Sequence, residues 1–257
     1  RFVIDEPVLM NLYNVFVTCM RNEKTKWPAL VGDFVSKSIA TAKEQRDALA
    51  LLASYEKGKS RLYIKIYPLE YMEELNGRYI GTPDFPGTVS AVVIDMPSSI
   101  IPLDPSYLEK WKKGRDEVIS EAKANTFASL GHIAPDSTDL GSGQILLSYW
   151  DEGSIYVASL ALDAALLSRH DGGLGVFVGI PARSVVIIQP IGDKNYVNSL
   201  ALNTMMTIRD LFQEQSGSIS SSLYWFHKGI IHLAGNSMEG ALGKLSLPQE
   251  LSALMSR

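Results

Sequence analysis

The chain has 257 residues, 46% hydrophobic and 20% charged, with 24 Lys and Arg against 28 Asp and Glu and a pI near 5.6. This excludes a disordered chain, which lacks the apolar residues to offset its ordering entropy, and collagen-like or coiled-coil compositions; the length suits one large domain or two smaller ones. A formal charge of −4 leaves no basic footprint for nucleic acid or for an acidic membrane surface.

Pro7 suits the first turn of a helix in which Leu9, Leu12, Phe16 and Cys19 recur three or four residues apart, ending near Arg21 and Asn22. Cys19 is the single cysteine, so it closes no intramolecular disulfide, and on that apolar face it reads as a buried thiol in keeping with a cytoplasmic setting. Arg1 to Pro7 lack the features of a secretory signal, and a first residue of Arg rather than Met is expected of a trimmed or processed chain, leaving open a removed export signal. A second helical segment spans Pro28 to Tyr55, with a break expected at Gly32-Asp33, where Asp33 suits an N-cap, and a stop at Gly58. Leu62 to Tyr67 is β-branched and aromatic and stops at Pro68, as a strand would.

The turn-dense stretch 76–87 divides the chain into an N-terminal helical segment with the first strand, residues 1–75, and an α+β domain, residues 88–257; read instead as a loop over a site, it leaves one continuous domain. Val89 to Met96 is an apolar run suited to a strand buried on both faces. Asp104-Pro105 opens a helix that Gly114 ends, and a further helix runs from Asp116 to before Gly131. Gln144 to Trp150 and Ser154 to Ser159 read as a hairpin turning at Asp151-Glu152-Gly153. Leu160 to Arg169 is a short apolar helix stopped by Gly172-Gly173, and Leu174 to Ile180 and Ser184 to Gln189 are strand-like. Tyr196 to Gln215 carries an apolar helical face, and Ser220 to Phe226 with Gly229 to Leu233 form a last hairpin. Hairpins alternating with single helices predict an α+β fold, with a mostly antiparallel sheet packed against helices.

Several of these strings occur in an order that resembles a known family. They are Asn11-Leu12-Tyr13, the strand ending Tyr67-Pro68, Val92-Val93-Ile94-Asp95, the Trp111 helix, and the Ala122 to Asn125 helix. Gly153 to Ser159, Gly179-Ile180-Pro181-Ala182-Arg183 and Tyr224-Trp225-Phe226 with Gly229 complete the series. Together they resemble the YtpQ-like family of uncharacterised bacterial proteins, a domain of unknown function. In that family the segment at Ile180 to Ser184 tends to read Val-Pro-Asn-Arg-Asp; Pro181 and Arg183 match, whereas Ala182 and Ser184 stand where the family has polar Asn and Asp. The resemblance implies an α+β fold and a bacterial cytoplasmic setting, and brings no established reaction.

Imidazole alone titrates near neutrality unperturbed, so the four histidines are the first candidates for chemistry. His132, Asp136 and Asp139 in a loop offer nitrogen and oxygen ligands to a divalent metal, though the same composition is ordinary for a surface loop. Arg169, His170 and Asp171 form a polar cluster that is a candidate catalytic site, although Arg and His are also favoured at a helix C-terminus by its dipole. His227 and His232 flank the Lys228-Gly229 turn, close enough to share a ligand or simply the polar shoulders of a hairpin. Alternation places Tyr224 and Phe226 on one sheet face and Trp225 on the other, so that one set is exposed to a partner or all pack in a core. No nucleophile elbow, phosphate loop, dinucleotide fingerprint, zinc motif or cofactor signature occurs, and no apolar stretch is long enough to span a bilayer. The leading expectation is a non-enzymatic, cytoplasmic protein of accessory or immunity type that binds another protein. The alternatives are a hydrolase with a polar loop site and a small-ligand-binding protein.

Overall fold

The computed structural model describes residues 13–20, 22–73, 76–97, 99–239 and 243–256. They fall into two units, one drawn from residues 1–61 and 94–101, the other from 62–93 and 102–257. The expected helix start at Pro7, with Leu9 and Leu12, and Arg21 at its end lie outside the described residues.

Up to Arg61, the described elements of the first unit are helices. In α1 (Tyr13–Met20), Val15 and Cys19 lie one turn apart and are both buried. The side chain of Asn22 donates to the Thr18 carbonyl at 2.8 Å, satisfying an acceptor that the helix end leaves open. α2 (Trp27–Leu51) runs through Gly32 without the expected break. A lone glycine lowers helix propensity by about 1 kcal/mol but removes no hydrogen bond, and Asp33 pairs with Lys37 one turn on, at 2.8 Å, instead of capping a new start. α3 (Tyr55–Gly58) is a single turn.

The second unit opens with β1 (Leu62–Pro68), whose Leu62, Ile64 and Ile66 alternate inward. After α4 (Leu69–Glu73) come β2 (Gly81–Thr82), β3 (Thr88–Asp95) and β4 (Ile100–Pro102); the small sheet has the order β1-β3-β2, with β4 also paired to β3. The turn-rich 76–87 stretch is part of this sheet, since β2 pairs with β3 and both Ile80 and Phe85 are buried. The divisions between the units fall after Arg61, after Val93 and after Ile101, none of them within 76–87. α5 (Ser106–Trp111) starts where Asp104 accepts the Ser106 amide at 3.0 Å, and Lys112 in the left-handed region ends it before Gly114. α6 (Arg115–Leu130) lies along the open edge of β1. There the Thr126 hydroxyl accepts the Ile64 amide at 2.8 Å and Asn125 donates to the Leu62 carbonyl at 2.9 Å, replacing a neighbouring strand.

The large sheet has the order β11-β10-β9-β7-β8-β6-β5 with antiparallel pairings. Its strands are β5 (Asp136–Gly141), β6 (Gln144–Trp150), β7 (Val176–Ala182), β8 (Val185–Pro190), β9 (Ser222–His227), β10 (Ile230–Asn236) and β11 (Lys244–Leu245). The expected hairpin at Asp151 to Gly153 is not formed. β6 pairs with β5 through Gly141-Ser142-Gly143, all at positive φ, and with β8 on its other side. Val157 to Leu162 is a 3-10 turn whose Val157, Ala158 and Ser159 are buried, so no solvent-facing position marks its period. α7 (Ala164–Arg169) then starts on Asp163, which accepts from Ala165 and Leu166 at 2.9 and 3.1 Å.

α8 (Val197–Glu214) covers one face of the large sheet. Val197, Leu200, Ala201, Met205 and Ile208 pack on Phe177, Leu223 and Trp225, with Leu251 of α9 (Gln249–Met255) beside them. The 3-10 turn contacts the central strands β7 and β8. Phe85 meets Tyr224 edge-on with ring centroids 4.9 Å apart, and Tyr224 donates to the Pro86 carbonyl at 2.8 Å. β7 is consequently buried at every residue, which explains its unbroken apolar run. Pro181, unable to donate to a ladder, sits where the β7–β8 register slips between Gly179 and Ala182.

Candidate functional site

A cleft of about 340 Å³ opens between the C-terminal end of α6, β6 and α7. Phe127 and Leu130 of α6, with Ile133, Pro135, Leu160 and Leu166, make it apolar; Tyr149, Asp163, Arg169 and His170 supply its polar groups. The Tyr149 hydroxyl and His170 Nε2 are 2.9 Å apart, with the rings edge to face. Burial, then the neighbouring Arg169, holds the His170 pKa below the ordinary imidazole value. Burial likewise raises the Tyr149 phenol, against an opposing effect of Arg169. Near neutral pH the pair is therefore an uncharged phenol hydrogen-bonded to an uncharged imidazole. Asp163 is occupied in capping α7, and among the described residues no carboxylate pairs with the exposed Arg169. No Ser, Thr or Cys is among the lining residues, so the cleft has positioning groups and no activated nucleophile. A second cleft of about 350 Å³ has Asp84 as its ionisable lining residue, and that carboxylate already accepts from Thr82 and Ser90.

The cluster Arg169, His170 and Asp171 is divided by the fold. Asp171 does not line the cleft and organises the following loop, its Oδ1 accepting the Gly173 and Gly175 amides, both at 2.8 Å. Its Oδ2 lies 3.5 Å from His227 Nδ1, an ion pair only when that imidazole is protonated. His227 stacks on Trp225 with centroids 5.3 Å apart, and His232, opposite Trp225 in register, packs on the same indole at 5.3 Å. Both histidines thus pack on an indole instead of converging on a shared ligand. Trp225 is 1% exposed and its Nε1 donates to the Leu174 carbonyl at 2.8 Å; Tyr224 and Phe226 are buried too. The hairpin aromatics therefore present no exposed docking set, because both sheet faces are covered.

His132 bonds to the Ser129 carbonyl at 3.0 Å at the end of α6, whereas Asp136 and Asp139 lie in β5. Asp139 accepts the Gly141 amide at 2.8 Å. Among the described residues no group of three or more His, Cys, Asp or Glu side chains is placed to hold a metal, so the proposed His132, Asp136 and Asp139 set does not assemble. The loop expected there is an edge strand exposed at nearly every residue, whose acidic side chains suit an edge kept from pairing further. Among the described residues no helix is long and apolar enough to cross a membrane.

Tyr149 was not among the residues the sequence singled out as a partner for His170, and no local signal marks it. Comparison with family models, curated proteins and solved structures finds no match.

Proposed function

We propose that the chain binds a small amphipathic carboxylate in the cleft of Tyr149, Arg169 and His170, the small-ligand reading among the alternatives above. The observation that carries it is the neutral Tyr149 to His170 hydrogen bond at one end of an apolar cleft, beside a guanidinium that pairs with no carboxylate among the described residues. An apolar body fits the walls, and Arg169 meets a carboxylate with a planar fork of donors. Calorimetric titration with a panel of aryl and alkyl carboxylates tests this. Binding to the unaltered chain, weakened about tenfold or more by Arg169→Ala and less by Tyr149→Phe, is the expected result, since one charge-assisted hydrogen bond contributes about 1.5 to 3 kcal/mol. A panel that gives no heat, or heat that Arg169→Ala leaves unchanged, overturns it.

A protein partner is the second reading, with a different surface from the aromatic hairpin. Leu202 and Met206 lie one turn apart on α8 and are 43% and 60% exposed, which suits an apolar contact. Leu202→Glu with Met206→Glu abolishes association on this reading; a partner that copurifies equally with both chains excludes this surface. The order of motifs from Asn11-Leu12-Tyr13 to Tyr224-Trp225-Phe226 supports placing the chain with the YtpQ-like proteins, and the single cysteine supports a cytoplasmic setting.

A further inference from the structure

The stretch 76–87, which the sequence leaves open as a loop over a site, supplies a carboxylate to the second cleft. Asp84 follows β2, and its loop is fixed on the far side: Tyr224 of β9 packs on Phe85 and donates to the Pro86 carbonyl, while the Phe85 carbonyl accepts the Thr88 amide and hydroxyl at 3.0 and 3.1 Å. Thr82 and Ser90, opposite each other in the β2–β3 pair, both donate their hydroxyls to Asp84 Oδ2, the first at 2.7 Å. Among the described residues Oδ1 accepts no hydrogen bond. The cation paired with it, Lys123 of α6, stays 3.8 Å away, an ion-pair distance too long for a hydrogen bond.

The cleft that Asp84 lines encloses about 350 Å³, and its other lining side chains are apolar. Leu162, Ala164 and Leu167 come from the 3-10 turn and α7, and Phe226, Ile230 and Ile231 from β9 and β10. With Oδ2 committed to the two hydroxyls, Oδ1 is the atom left for a ligand. Because those hydroxyls already hold the carboxylate, little rotamer freedom remains to be lost on binding. A single fixed oxygen with an incomplete counter-charge matches a single ammonium, and an apolar body is removed from water against the walls.

We propose that this cleft binds a small primary amine with an aryl or alkyl body, its ammonium donating to Asp84 Oδ1. The sign of the lining charge sets the class of ligand, since Asp84 attracts a cation and repels a carboxylate. Lys123 competes for the same oxygen, so the ligand replaces a 3.8 Å ion pair with a charge-assisted hydrogen bond of about 2.8 Å. The two clefts share no lining residue, so each reading can fail alone.

The test is calorimetric titration of the full chain near neutral pH with phenethylamine, hexylamine and the uncharged phenethyl alcohol, at equal ionic strength. The amines are expected to bind about tenfold or more tighter than the alcohol. Asp84→Asn keeps an oxygen for Thr82 and Ser90 and puts an amide donor in place of Oδ1, so it should weaken the amines about tenfold or more and leave the alcohol unaffected. Lys123→Met removes the competing ammonium and should tighten amine binding about threefold. Should Asp84→Asn fail to fold, Ala164→Phe gives a separate reading. From an exposed position at the start of α7 it fills the cleft without altering the carboxylate, and amine binding is lost. Amines that bind no tighter than the alcohol, that bind Asp84→Asn or Ala164→Phe as they bind the unaltered chain, or that Lys123→Met weakens overturn the proposal.

Discussion

His170 and Asp171 are neighbours in sequence and serve different structures. One bonds to Tyr149 across the cleft, while the other ties the Gly173 to Gly175 turn and faces His227. The environment of His170 has a consequence for acid stability. Because its folded pKa lies below the unfolded value near 6.5, its contribution is complete above that value and is lost as pH falls toward the folded pKa. Denaturant melts of the chain and of His170→Gln, compared from neutral pH downward, should therefore differ in slope. The unaltered chain loses stability more steeply below about pH 6.5, and the difference between the two isolates His170 from the other histidines. Parallel curves would show that the imidazole is as free to protonate when folded as when unfolded.

The elements legible in the sequence were those whose signals are local. The β9–β10 hairpin turns at Lys228 and Gly229, both at positive φ, which suits a tight hairpin turn, and the Asp104-Pro105 start of α5 is a capping signal realised as read. What failed was set by long-range neighbours. β5 is exposed at nearly every residue and shows no alternation, while Ser154 to Ser159 resembled a strand because a buried segment is apolar whatever its backbone does. The candidate sites divide in the same way. Arg169 and His170 stood out as a polar pair after a helix, but Tyr149 becomes the partner of His170 only through the pairing of β6 with β8. The edge of β1 gives a direct test of such long-range dependence. Thr126 is buried and its hydroxyl both accepts from Ile64 and donates to the Ala122 carbonyl, so Thr126→Val strands a buried amide. A loss of about 1 to 3 kcal/mol in urea unfolding is expected, whereas Thr126→Ser, which keeps the hydroxyl, should restore most of it. If valine and serine cost the same, the loss is one of packing and the β1 edge is not held by this bond.

For the whole molecule the contrast is between two units with very different interiors. β7 is buried throughout, and in β8 only Pro190 is partly exposed, so these strands should open only with the full fold. In α2 none of the residues from Trp27 to Ile39 is buried, and among the described residues of the first unit the buried side chains are Val15, Cys19, Leu52, Tyr55, Ile94 and Met96. Low apolar burial means low local stability, so the helical unit should open without the sheet. Cys19, the single thiol, reports that opening directly. Under native conditions it should react with a thiol reagent faster than the β7 and β8 amides exchange with deuterium, and moderate urea should widen the gap as α1 detaches from α2. Cys19 labelling that waits for the same event as β8 exchange would mean that the two units unfold as one.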